Sequence, residues 1–284
     1  MRWLRTVVVR QAAGLAALAL ALASPAAPAA AQETESLYRA VAPLAGPGAE
    51  HRRLALAQCF EEVLIKVSGD ARLAGDRRVA ALARQAEALV RHAGNRDRPR
   101  ELAVDFDPAK IDAALAGLGR RPWTASRPRL VVYVAVDGAA AYMLAAEGTA
   151  GAEPRAALAA AARRVAIPIT LPDTAGLAAA AASVARLAAI DPALLDSAAK
   201  AAGGDLALVG RLIAGDRARG WTAEWRLAYE SRLYRWQIRG ASLDDAFRHG
   251  MRGAAQILSG HGRPKGSCEA PSRRSRALGR ACPG

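Results

Sequence analysis

Residues 130–136 read LVVYVAV, and residues 206–209 read LALV. Both are continuous apolar runs, too short for an ordinary helix, and the first is rich in β-branched side chains. Runs of this kind suit strands covered on both faces, so a sheet with helices on either side is predicted around them. Helical spacing between them predicts helices over 153–165, 175–187 and 192–202. A short strand at 167–171 is limited by Pro168 and Pro172. Gly203-Gly204 ends the last of these helices.

Toward the C-terminus, Trp221, Ala223, Trp225, Leu227 and Tyr229 alternate with Thr222, Glu224 and Arg226. Tyr234, Trp236 and Ile238 repeat the pattern, so 221–229 and 233–239 are predicted to pair antiparallel. Ser242, with Asp245 three residues on, is a capping-box variant. Phe247, Met251, Ala254 and Leu258 form the buried stripe of a last helix.

Toward the N-terminus, Leu118-Gly119 ends a helix that starts at Asp107-Pro108, an N-cap followed by proline at the first helical position. Leu102, Val104 and Phe106 form the inner face of a strand before it. Leu56, Phe60, Val63, Leu64 and Val67 mark a helix from about 49 that Ser68-Gly69-Asp70 terminates. A strand is predicted near 37–41, a second helix over 77–92, and a polar loop over 94–100. The prediction is an α+β chain of two small α/β-sandwich-type units with mixed sheets. The second closes with the antiparallel strand pair and a C-terminal helix. The boundaries are 32–121 and 122–260, with a disordered basic tail at 261–284.

Residues 1–31 have the form of a signal peptide. Arg2, Arg5 and Arg10 precede an uncharged run at 12–23, and Pro25 and Pro28 interrupt the chain before Ala29-Ala30-Ala31. Cleavage is expected after Ala31. The run is shorter than the about 20 apolar residues of a membrane span, and no cysteine follows it to take a lipid. A soluble periplasmic protein is the expectation, with no transmembrane span in the mature chain.

The 284 residues carry 40 Lys+Arg against 26 Asp+Glu, a formal net charge of +14. The basic groups are mostly scattered arginines, not a stripe interleaved with aromatics, which argues against nucleic acid as a partner. Weak contact with an anionic membrane surface stays open. Three cysteines cannot staple a coreless scaffold. Cys268 and Cys282 can pair in the tail, and Cys59 reads as a small buried hydrophobe.

No zinc-ligand spacing, nucleophile elbow, phosphate loop or dinucleotide fingerprint occurs, so neither metal nor cofactor is expected. Ser68 and Asp70 are candidates for anion binding or catalysis, against the plainer reading of helix termination. Asp105 and Asp107 fall on one face of a strand, about 7 Å apart. A carboxylate pair there can do acid–base work or hold a cation. Trp221, Trp225 and Tyr229 are a candidate binding surface, or core beneath the last helix.

Several stretches together resemble a known family. They are Leu37-Tyr38, VLIKVSGD at 63–70, VDFDP at 104–108, Pro122-Trp123, Arg127-Pro128, GDLALVGR at 204–211, and the Trp225, Trp236, Gly240 series. Over about 36–260 the chain resembles the exported bacterial proteins of the domain of unknown function 2066 family. That resemblance implies an envelope protein and supplies no catalytic residue, substrate or cofactor. The leading expectation is a non-catalytic accessory module that binds an envelope protein or a cell-wall component. The rivals are an envelope hydrolase with an unrecognised site, and a binder of anionic lipid or polysaccharide.

Overall fold

A computed structural model describes residues 37–267 apart from 98–99, 188, 191 and 216–219. The signal-like segment with its cleavage point after Ala31, and Cys268 and Cys282, lie outside the described residues. The fold is α+β. Its first part runs β1 (Arg39–Pro43), α1 (Ala49–Ser68), α2 (Arg77–Ala83), β2 (Val90–Asp97), β3 (Arg100–Phe106) and α3 (Pro108–Gly117). Its second part runs β4 (Leu130–Asp137), β5 (Ala141–Met143), α4 (Ala152–Arg164), β6 (Ile169–Thr170), α5 (Thr174–Ala179), α6 (Val184–Leu187), α7 (Pro192–Ala201), β7 (Leu206–Ala214), β8 (Trp221–Tyr229), β9 (Arg232–Ala241) and α8 (Leu243–Leu258).

In the first part, β1, β3 and β2 form an antiparallel sheet in that order. The predicted stripe of α1 is buried against it: Leu56, Phe60, Val63, Leu64 and Val67 join Leu102, Val104 and Phe106 in one core. Asp107 caps α3 by accepting from the Lys110 N–H at 3.1 Å. The helix expected over 77–92 stops at Ala83, and a 3-10 turn at Ala86–Leu89 leads into β2. The loop expected at 94–100 lies largely in this hairpin, with Val90 opposite Phe106 and Asp97 opposite Arg100. Leu89-Val90 is a short apolar pair that helix and strand accommodate equally; the open edge of β3 decides between them.

In the second part, β5, β4, β7, β8 and β9 lie in that order, and β6 pairs with β4 in parallel. The β4–β7 pair is parallel, while β7–β8 and β8–β9 are antiparallel. Alternation along β4 explains its unbroken hydrophobicity. Leu130, Val132, Val134 and Val136 face a core shared with α4 and α8. Val131, Tyr133 and Ala135 face a second core under α5, α6 and α7. The helix expected over 175–187 is broken: Ala181 takes φ 48°, and α6 starts afresh at Val184. Ser242 caps α8, accepting from the Asp245 N–H at 3.1 Å.

Residues 261–267 also pack against the body, where a disordered tail was expected to begin. The Gln256 side chain donates to the Arg263 carbonyl at 2.7 Å. Gln237 N–H donates to the Gly266 carbonyl at 3.2 Å, and Ser267 bridges antiparallel to Trp236. Residues 264–267 thereby cover part of the edge of β9.

The two sheets meet through backbone groups. Trp123 N–H donates to Val67 C=O at 2.8 Å. Arg127 donates to the carbonyls of Val165 and Lys66, both at 2.7 Å, and lies 4.3 Å from the Trp123 ring centroid. Arg164 pairs with Glu62 across the same junction. Among the described residues, no helix is long and apolar enough to cross a membrane.

Candidate functional site

Ser68 and Asp70 end α1 in a buried knot. The Ser68 hydroxyl donates back to Leu64 C=O at 2.7 Å and accepts from Asp70 N–H at 3.1 Å. Gly69 takes φ 74° and returns its N–H to Ile65 C=O at 2.7 Å. Asp70 is fully buried. Its carboxylate accepts from Arg72 Nε at 2.8 Å and Arg72 Nη2 at 3.0 Å, and from Arg120 Nε at 2.5 Å. Burial alone raises its pKa, but the bonds from Arg72 and Arg120 outweigh that and hold the carboxyl below its ordinary value. All of this chemistry is internal, as helix termination requires.

A Ser–His contact that the motif search missed packs against this knot. Ser259 Oγ and His261 Nδ1 are 2.8 Å apart. A Cβ on Gly69 would come within 2.5 Å of Ser259, so glycine is needed there for space as well as for its φ. Burial lowers the His261 pKa, and Asp70 opposes that shift. Asp70 is committed to two arginines, and among the described residues no carboxylate hydrogen-bonds the His261 ring as the third group of a triad would. The residues are only two apart in sequence, yet nothing marks a Ser at a helix end as a partner for a nearby His until the chain turns.

Asp105 and Asp107 are each engaged separately. Asp105 lies opposite Arg39 across β1 and β3, with 3.7 Å between charged atoms. Asp107 is used as the cap of α3. Among the described residues, no three His, Cys, Asp or Glu side chains could hold a metal ion.

The aromatic row is core. Trp225 is 1% exposed and meets Phe247 edge-on at 6.0 Å between centroids. Gly210 on one side and Gly250 on the other leave its ring no spare room, since a Cβ at either would approach within 2.5 Å. Trp221 and Tyr229 pack partly buried around the same core. A ligand platform is ruled out at Trp225, because helix α8 already occupies that face. Cys59 is likewise buried, with a free thiol.

The opposite face of β7, β8 and β9 is different. Helices α5–α7 cover β4 and β7 on that side, and among the described residues no helix covers β9 there. A groove of about 240 Å³ is lined there by Leu187, Val209, Arg211, Glu224, Arg226, Arg235 and Gln237. Strand register places Arg211 opposite Glu224 and Arg226 opposite Arg235. Arg211 pairs with Asp137 at 2.9 Å, and its Nε is buried without a partner among the described residues. Arg226 donates to Leu187 C=O. Burial and then the Arg235 charge lower the Arg226 pKa, with Glu224 opposing. Glu224 lines the same groove and supplies an opposing charge. The sequence search grouped residues by motif and missed this set, although the alternation of 221–229 already put Glu224 and Arg226 on the face away from the tryptophans.

Comparison with known proteins bears on the first part of the chain. A family model described as a domain of unknown function (DUF8605) matches residues 31–124. This corrects the resemblance to the domain of unknown function 2066 family, since the matching family is a different one. No curated protein and no solved structure matches the chain. The matched residues include β1–β3 with α1–α3 and end just after Trp123, so it is the three-stranded part that is similar to DUF8605.

Proposed function

We propose that the chain is an exported, non-catalytic binding module of the cell envelope, and that it takes an anionic group on the face of β8–β9 beside Arg211. The supporting observation is the direct apposition of Arg226 and Arg235 across β8 and β9, beside Arg211. A phosphate or carboxylate of a cell-wall or lipid component suits this groove, where guanidinium forks supply its hydrogen bonds. The signal-like start at 1–31 supports the periplasmic part of this reading.

Cosedimentation with phosphatidylglycerol vesicles, and phosphatidylcholine as control, tests the site. Binding is expected to the anionic vesicles only and to weaken steeply between 20 and 300 mM salt. Arg235→Glu, at an exposed position, is expected to weaken it about tenfold, the effect of about 1.4 kcal/mol. Salt-independent binding, or full binding by Arg235→Glu, removes the anion site. Fractionation of cells and N-terminal sequencing of the mature protein test export; intact chain in the cytosol removes the envelope assignment.

A further inference from the structure

A second cavity lies on the α5–α7 side of the same sheet, remote in chemistry from the arginine groove. Its volume is about 570 Å³, within the range of small-molecule sites. Its floor is Tyr133, which is 1% exposed. Its mouth is apolar, formed by exposed alanines that include Ala146, Ala201 and Ala202. Among the described residues, no lysine or arginine lines it. The acid at its edge, Asp173, is engaged in capping α5, accepting from the Gly176 N–H at 2.6 Å.

Two hydroxyl-bearing side chains, Tyr133 and Thr170, line this space. The Tyr133 hydroxyl has no hydrogen-bond partner among the described residues, although the ring is enclosed. Thr170, half-buried, pairs with Val131 in parallel register, so its side chain is on the Tyr133 face of the sheet. Burial also raises the Tyr133 pKa, so the phenol remains a neutral donor.

We propose that this cavity binds a small uncharged aliphatic molecule carrying one hydrogen-bonding oxygen, such as a medium-chain alcohol or the end of a neutral acyl ester. The oxygen meets Tyr133 and Thr170 at the floor, and the alkyl part lies along the alanine walls. The absence of a lining cation disfavours a carboxylate head, and the capped Asp173 offers little to an amine.

The test is titration of the full chain with 1-octanol, followed by backbone amide shifts in nuclear magnetic resonance. Octanoate and octylammonium are titrated in parallel. Saturable shifts confined to residues near Thr170, Gly176, Ala198 and Ala202 are expected, with octanol the tightest of the three. Tyr133→Phe is expected to weaken octanol about fivefold to tenfold, one hydrogen bond's worth. Ala201→Leu, at the exposed mouth, is expected to abolish the shifts while the thermal midpoint holds; Ala202→Leu is the substitute if the first variant is unstable. No saturable shift, tighter binding of either charged analogue, or octanol binding unchanged by both Tyr133→Phe and the leucine variant overturns the proposal.

Discussion

At the scale of the residue, Asp70 shows how a sequence candidate becomes structural. Ser68-Gly69-Asp70 is legible as a helix terminator because glycine tolerates positive φ and both neighbours bond locally. The arginines that hold the carboxylate are another matter, since Arg120 is 50 residues away. Asp70→Asn keeps the shape and removes the charge, leaving Arg72 and Arg120 partly solvated. A loss of about 1–3 kcal/mol is expected in urea unfolding. Acid should also weaken the fold through two imidazoles. Burial is the leading cause that lowers the pKa of both His249 and His261 from 6.5. The unfolded chain therefore takes up protons first as pH falls, and stability drops below about pH 6.5. Urea midpoints at pH 7.5 and 5.0 measure this. His261→Gln should flatten the dependence, and an unaltered slope would exclude His261 as a contributor.

At the scale of the element, α8 follows the expected stripe, but its glycines matter as much as its large side chains. A Cβ on Gly250 would approach Trp225 to 2.3 Å, and one on Gly253 would approach Trp236 to the same distance. Alanine gains about 1 kcal/mol of helix propensity at either position, while overpacking costs typically 1–3 kcal/mol. Against rigid indoles the second effect wins, so Gly250→Ala and Gly253→Ala should each lower the thermal midpoint. Gly117 in α3 has open space at its Cβ, and there Gly117→Ala should raise it. Scanning calorimetry of the three variants distinguishes the cases. The sequence shows the apolar stripe of α8 but not which tryptophan each glycine meets, because that depends on the angle at which helix crosses sheet.

At the scale of the whole molecule, the two sheets are joined in part through polar contacts around Arg127. Burial is what draws its guanidinium down to about 10, still charged at neutral pH. Arg127→Ala frees the carbonyls of Lys66 and Val165 and leaves Trp123 uncovered. Hydrogen exchange should rise at the end of α1 and near Val165 while the interior of β4 and β7 stays protected. Uniform loss of protection would mean that the sheets unfold as one unit. From its own pattern the chain determines the helix at 49–68, the two-faced strand at 130–137, the strand pair at 221–241 and the caps at Asp107 and Ser242. Those depend on periodicity and on bonds a few residues long. Tertiary structure alone decides that residues 90–97 form a strand, that 264–267 cover β9, that Arg226 faces Arg235, and that Tyr133 floors a cavity. In each of these cases the deciding partner is a strand edge or a facing side chain contributed from elsewhere, so a local pattern cannot carry the information.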